Sequence, residues 1–250
     1  MNALATSREP GLQGDLERLA RLRIFFAHRS VGADLLDGVR AIAANEGDET
    51  LRVLETGDYL PQRAFGHALL SANGDPARKL RHFEGLLRGG IGPSADIVML
   101  KFCYSDITER TDAAWLFRSY DRTIRGLREA YRRATFVHVT APLTVVPAGA
   151  RAAMSGLLRR VPEALADNER REEFNGLMRR AYAGREPLFD LASAESIAPD
   201  GARELHLLHG RPIAALVPGY TTDGGHLTAP ARMRIARELI GVLAPLAEGA

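Results

Sequence analysis

The chain has 250 residues, 46% of them hydrophobic, enough to bury a sizeable core within the length of one α/β domain. Lys and Arg (33) nearly balance Asp and Glu (31), leaving a net charge of +2, which argues against a dedicated nucleic-acid-binding surface. The single Cys103 excludes an intrachain disulfide, no apolar run approaches the ~20 residues that cross a bilayer, and no secretory-signal pattern follows Met1, so a soluble, cytoplasmic protein is expected.

Residues 1–15 (MNALATSREPGLQGD) are polar and punctuated by Gly and Pro, which predicts a flexible N-terminal arm ahead of a single folded domain over 16–250. RIFFA (23–27) reads as a strand. After His28, Arg29 and Ser30, the positions Leu35, Leu36, Val39, Ile42 and Ala43 recur at helical spacing up to a C-cap at Gly47. LRVLE (51–55) reads as a second strand, and PARKLRHFEGLLRG (76–89) as a helix opened by Pro76. DIVMLKF (96–102) is the third strand, followed by an amphipathic helix over 112–133 and a fourth strand, TFVHVT (135–140). A helix over 162–182, a fifth strand at PLFDLA (187–192) and a closing helix over 230–246 complete the pattern. Strands alternating with helices imply parallel pairing with both faces covered, hence a three-layer α/β/α sandwich of five strands. Ligands of such sheets sit beyond the carboxyl ends of the strands, which is where chemistry is sought.

Ser30 lies there, between the first strand and the first helix. Its hydroxyl can face the helix-start N–H groups as a nucleophile beside an oxyanion site, or it can simply cap the helix; both readings are open. The second feature is TTDGGHLT (221–228), in which Asp223 and His226 stand in a Gly-rich loop just before the last helix. A serine hydroxyl needs an imidazole to take its proton, and the imidazole needs a carboxylate to fix its tautomer, so this loop can supply both partners. The alternative is an Asx-type turn beside an exposed His.

A strand-end Ser with a late Asp-x-x-His resembles the SGNH (GDSL-type) hydrolase superfamily. Within it, FFAHRSVGADLLDGV, NGDP, MLKFCYSD, FVHVTAPLT, FDLA and YTTDGGHLT are similar to a poorly characterised bacterial branch, over about Arg23 to Ala236. The resemblance implies a flavodoxin-like parallel five-stranded sheet of order 2-1-3-4-5, a catalytic triad of Ser30, Asp223 and His226, and acyl-ester hydrolysis through an acyl-enzyme without metal or organic cofactor. It implies an oxyanion hole built from Ser30 and Gly74, with Gly66 a weaker candidate, and with Ser105 or Asn73 standing where the family places an Asn side chain. His28, Arg29, Tyr104 and Lys101 are candidate substrate contacts. His28-Arg29 replaces the family's Gly-Asp before the nucleophile. A small-molecule or carbohydrate acyl ester is the expected substrate. An O-acyltransferase acting on a carbohydrate, or a catalytically silent binding domain, are the alternatives. Oligomeric state is not legible.

Other polar residues have plainer readings. Asp190 is the rival triad acid, although a structural bond suits it better, and His138, between Val137 and Val139, reads as a core histidine. Arg118, Arg122, Arg125, Arg128, Arg132 and Arg133 form a solvated helix face, and Cys103 reads as an inert buried thiol. The seven His residues show no His-x-x-x-His pair, so no metal site is expected. Residues 144–168 and 198–218 are the expected walls of the site.

Overall fold

The computed structural model describes residues 11–60, 62–147 and 161–248. The first helix, α1 (Leu12–Leu19), buries Leu12, Leu16 and Leu19 on one face. It overturns part of the predicted arm: residues 1–10 lie outside the described residues, but residues 12–15 are helical, because the Leu12/Leu16/Leu19 spacing gives this segment an apolar stripe.

Then come β1 (Arg23–His28), α2 (Val31–Glu46), β2 (Val53–Glu55), β3 (Ala64–Leu69), α3 (Pro76–Leu86), the short α4 (Gly92–Ser94), β4 (Ile97–Leu100), α5 (Ala113–Ala130) and β5 (Thr135–Val139). The second half holds α6 (Glu163–Tyr182), β6 (Leu188–Phe189), α7 (Leu191–Ser196), the hairpin β7 (Leu205–Leu208) and β8 (Arg211–Ala214), and α8 (Ala229–Leu243). The helix ends follow their sequence signals. Asp75 accepts from the Arg78 N–H at 2.8 Å with Pro76 behind it, Asp112 accepts from the Trp115 N–H at 2.8 Å, and Gly47 closes α2 in the left-handed conformation at φ 68°.

The sheet has six parallel strands in the order β2-β3-β1-β4-β5-β6, one more than expected. The additional strand is β3, whose Gly66 and His67 break the apolar run that marks the other strands. It takes the place beside β1 that the sequence assigned to LRVLE, and it pushes β2 to the edge. Without β2, the remaining order β3-β1-β4-β5-β6 is the expected 2-1-3-4-5 arrangement. Gly66 lies inside β3, where a Cβ would stand 2.3 Å from Leu60 Cδ2; it serves this contact and is removed from the sheet's carboxyl edge. Also unread in the sequence were α7 and the β7/β8 hairpin. The hairpin turns through His209 (φ 51°) and Gly210 (φ 76°), the left-handed pair that two-residue hairpin loops require.

Alternation along β1 divides the core. Ile24 and Phe26 face α1, α2 and α8, while Phe25 and Ala27 face α3, α5 and α6. On the first side α2 and α8 cross closely at Gly38, where a Cβ would lie 2.3 Å from the Arg232 carbonyl and 2.7 Å from Ala236 Cβ. Gly38→Ala is expected to destabilise the protein by about 1–3 kcal/mol through overpacking. Gly126→Ala on α5, where nothing lies within 4 Å, should stabilise it by roughly 0.5–1 kcal/mol. Urea unfolding of the two variants compares them directly.

Candidate active site

Ser30 follows β1 at the sheet's carboxyl edge, with φ 56° and ψ −120°. A non-glycine residue in this region is strained, by roughly 1–3 kcal/mol, and such strain persists where the surroundings enforce it. The enforcement is visible: β1 continues straight into α2 through a turn in which Gly32 N–H donates to the Arg29 carbonyl and Ala33 N–H to the Ser30 carbonyl. Gly32 is obligatory there, since a Cβ would stand 2.4 Å from His28 Cβ. Ser30's side chain makes no capping bond, so the capping alternative does not hold. Instead Oγ lies 2.6 Å from His226 Nε2.

The partner loop is built around Asp223. Its Oδ1 accepts from the N–H groups of Gly225 (2.9 Å) and His226 (2.8 Å), while Oδ2 meets His226 Nδ1 at 2.7 Å. The Asx turn and the carboxylate–imidazole contact are therefore one arrangement: one oxygen folds the loop and the other orients the ring. The two N–H donors, with the imidazole, hold the Asp223 carboxyl well below the usual carboxylate range. Three further bonds dock the loop. Leu227 N–H donates to Asp34 Oδ2 (3.0 Å), Arg232 pairs with Asp34 at 2.7 Å, and Val145 N–H donates to the Gly224 carbonyl (3.0 Å). Asp34 stands one turn after Ser30 on α2, so it ties the histidine loop to the serine's own helix.

The expected oxyanion donors fare differently. Gly74 donates its one N–H to Asp106 Oδ1 at 2.8 Å, and the exposed Asn73 accepts from Lys79 Nζ at 2.6 Å. The hydroxyl and N–H of Ser105 are directed at Cys103. Gly74 and Asn73 are thereby tied to a buried ion pair, in which Asp106 also accepts from Cys103 N–H (2.6 Å) and from Lys79 Nζ (2.6 Å), both charged side chains being wholly buried; this forms a clamp. The clamp joins the loop after β3 to the loop after β4; Lys79 in a helix and Asp106 in a loop carried no signal of it. Lys79→Met leaves a buried carboxylate without its counter-ion and is expected to cost about 3–5 kcal/mol, measurable as a fall in the denaturant midpoint.

Tyr104 does reach the site. Its ring stands edge-on to His226 with centroids 5.9 Å apart, and a Cβ on Gly225 would lie 2.8 Å from Tyr104 Cε1, so the second glycine of the loop makes room for this ring. Arg171 holds the ring from behind, 5.9 Å from its centroid, while its Nε donates to the Tyr104 carbonyl at 3.0 Å. Burial raises the phenol's pKa, with Cys103 adding to it, so the group keeps its proton at neutral pH.

His28 and Lys101 are not placed to touch a substrate: both are fully buried, His28 at the end of β1 and Lys101 one residue past β4. His28 Nε2 meets His67 Nδ1 at 3.2 Å, and burial lowers its pKa to about 3. Arg29 is half-buried. Asp190 is bound by Arg179 at 2.7 and 2.9 Å and caps α7 at Ser193, which removes it as triad acid. His138 is the expected core histidine, between Tyr120 Oη (2.8 Å) and Glu186 Oε2 (3.0 Å) and stacked on Tyr182. Cys103 is buried but not in inert surroundings. Burial alone would raise the thiol; the charge of Lys101, with Ser105 beside it, brings it below its ordinary value. Of the expected walls, residues 148–160 lie outside the described residues, and 205–214 form the hairpin. Among the described residues no group of three or more His, Cys, Asp or Glu is placed to hold a metal, and no helix is long and apolar enough to cross a membrane.

Under the site, burial pushes Glu195 up to about 8 and Lys101 down. A raised carboxyl favours the folded state only while protonated, so this contribution is complete below about 4.5 and is lost as pH rises through about 8. Glu195→Gln should therefore gain stability relative to the parent between pH 5.5 and 8.5, by roughly 1 kcal/mol or more, in thermal unfolding at the two pH values.

No protein-family model and no curated protein matches the sequence. Solved structures match the fold. TesA is 14% identical with a TM-score of 0.52 over 89% of this chain and 98% of that one. A Streptococcus pneumonia protein named for platelet activating factor is 12% identical with a TM-score of 0.52 over 91% and 89%. The parallel sheet flanked by helices, with a serine turn after its first strand, is the SGNH-hydrolase-like fold.

Proposed function

We propose that the chain is a serine hydrolase that cleaves an acyl ester of a small molecule or carbohydrate. The observation that carries this is the continuous hydrogen-bonded line from Ser30 Oγ through His226 to Asp223, at 2.6 and 2.7 Å, on a serine whose side chain is free of any capping duty. His226 Nε2 takes the Ser30 proton as Oγ attacks the ester carbonyl, and Asp223 keeps Nδ1 protonated and stabilises the imidazolium. The Ser30 N–H, at the positive end of α2, faces the charge that develops on the carbonyl oxygen. Collapse of the tetrahedral intermediate gives an acyl-Ser30, and His226 returns its proton to the leaving alcohol. A water deprotonated by His226 then releases the acid. The open setting supports hydrolysis over transfer to another alcohol: the His226 side chain is 43% and that of Asp223 55% exposed, so bulk water reaches the acyl-enzyme.

A fluorophosphonate probe should label the protein at one site mapping to the Ser30 peptide, and Ser30→Ala should abolish both labelling and hydrolysis of 4-nitrophenyl acetate. A label mapping elsewhere, or turnover surviving in Ser30→Ala, overturns the reading. Asp223→Asn, which leaves the ring without its orienting carboxylate, should lower kcat by roughly 100- to 10,000-fold in the same assay.

A further inference from the structure

The oxyanion hole of a serine hydrolase needs donors besides the nucleophile's own N–H, and here the residues at the expected positions are engaged elsewhere. Gly74 N–H is held by Asp106, Asn73 is tied to Lys79, and Ser105 is turned toward Cys103. Tyr104 offers a donor beside the serine. The Tyr104 ring stands edge-on to His226, whose Nε2 pairs with Ser30 Oγ, and it occupies the space left by the missing side chain of Gly225, with Oη 3.2 Å from where that residue's Cβ would be. Its backbone is fixed by Arg171, which donates to both the Tyr104 and the Ile107 carbonyls, so the ring is positioned before any substrate arrives.

We propose that Tyr104 is a catalytic residue whose phenolic O–H donates to the oxyanion of the tetrahedral intermediate, in place of the side-chain amide the site lacks. The inference rests on the Ser30 hydrolase reading. In the resting site Ser30 Oγ is paired with His226 Nε2, and the phenol stands beside the same imidazole. As His226 Nε2 takes the Ser30 proton and Oγ bonds to the carbonyl carbon, the C=O π pair moves to oxygen, and the phenol O–H donates to the new oxyanion. No proton leaves Tyr104, so a phenol that stays neutral is the form required.

Tyr104→Phe deletes only the hydroxyl and keeps the ring packed between Arg171 and Gly225. The expected result is a loss of kcat for 4-nitrophenyl acetate of roughly 100- to 1000-fold with KM little changed, and a parallel loss in the rate of Ser30 labelling by a fluorophosphonate, whose phosphoryl oxygen develops the same charge. Ser105→Ala and Asn73→Ala should each stay within about threefold of the parent, and circular dichroism should show Tyr104→Phe folded. Labelling and turnover at the parental rate in Tyr104→Phe, while Ser30→Ala is silent, overturn the Tyr104 role and leave the hydrolase reading standing. A loss confined to KM assigns Tyr104 to substrate binding and likewise overturns it. Parent and Ser30→Ala behaving alike would overturn both together.

Discussion

The close crossing of α2 and α8 governs the site. Ser30 opens α2 and His226 precedes α8, so the relative placement of these two helices decides whether the hydroxyl and the imidazole meet. Gly38 permits the crossing, with the Arg232 carbonyl and Ala236 Cβ in the space a side chain would take. Asp34 then fixes its register, since one carboxylate binds the Leu227 N–H and the Arg232 guanidinium and thereby couples residues 193 apart in the chain. A nearly buried carboxylate with two donors has no low-energy alternative, which makes this contact a locator as well as a source of stability.

A second set of buried polar groups fixes the opposite rim. Asn168, Arg171 and Asn175 on α6 bind the backbone or side chains of the loops after β4 and β5: Asn175 takes both the N–H and the carbonyl of Ala141, and Arg171 spans Tyr104, Ile107 and Thr144. Loop backbone must be satisfied somewhere once it is buried, and here a helix supplies the partners. The cost is that α6 lacks a purely apolar buried face. The benefit is a Tyr104 held in place from behind, against His226, by groups that cannot reorient without leaving charges or amides unpaired.

The residues before the serine and those after β4 form one arrangement. His28 before the serine is a buried residue that packs on Gly32 and meets His67, so the elbow is supported from the sheet side. After β4, Ser105 joins the Cys103–Asp106 turn, and the adjacent Tyr104 ring stands against His226. The loop after β3 is correspondingly drawn onto Asp106 and its buried partner Lys79. The clamp thus serves structure, and the space beside His226 is left to the Tyr104 ring.

Sequence by itself determined the strand–helix alternation, the serine after β1 and the Asp-x-x-His loop, because each is a local pattern: an apolar run, a helical period, a Gly-rich turn beside two ionisable groups. It missed β3, since a strand interrupted by Gly66 and His67 has no run to read, and it missed α1, whose three leucines are hidden among polar neighbours. It also misassigned the side chains at the carboxyl edge. Whether His28, Lys101, Gly74 or Tyr104 faces the serine depends on the strand's pleat and on which distant carboxylate or amide claims each donor. Those competitors, Asp106, Lys79, Arg171 and Asp34, come from helices and loops scattered along the chain, and only the tertiary structure brings them within hydrogen-bonding distance.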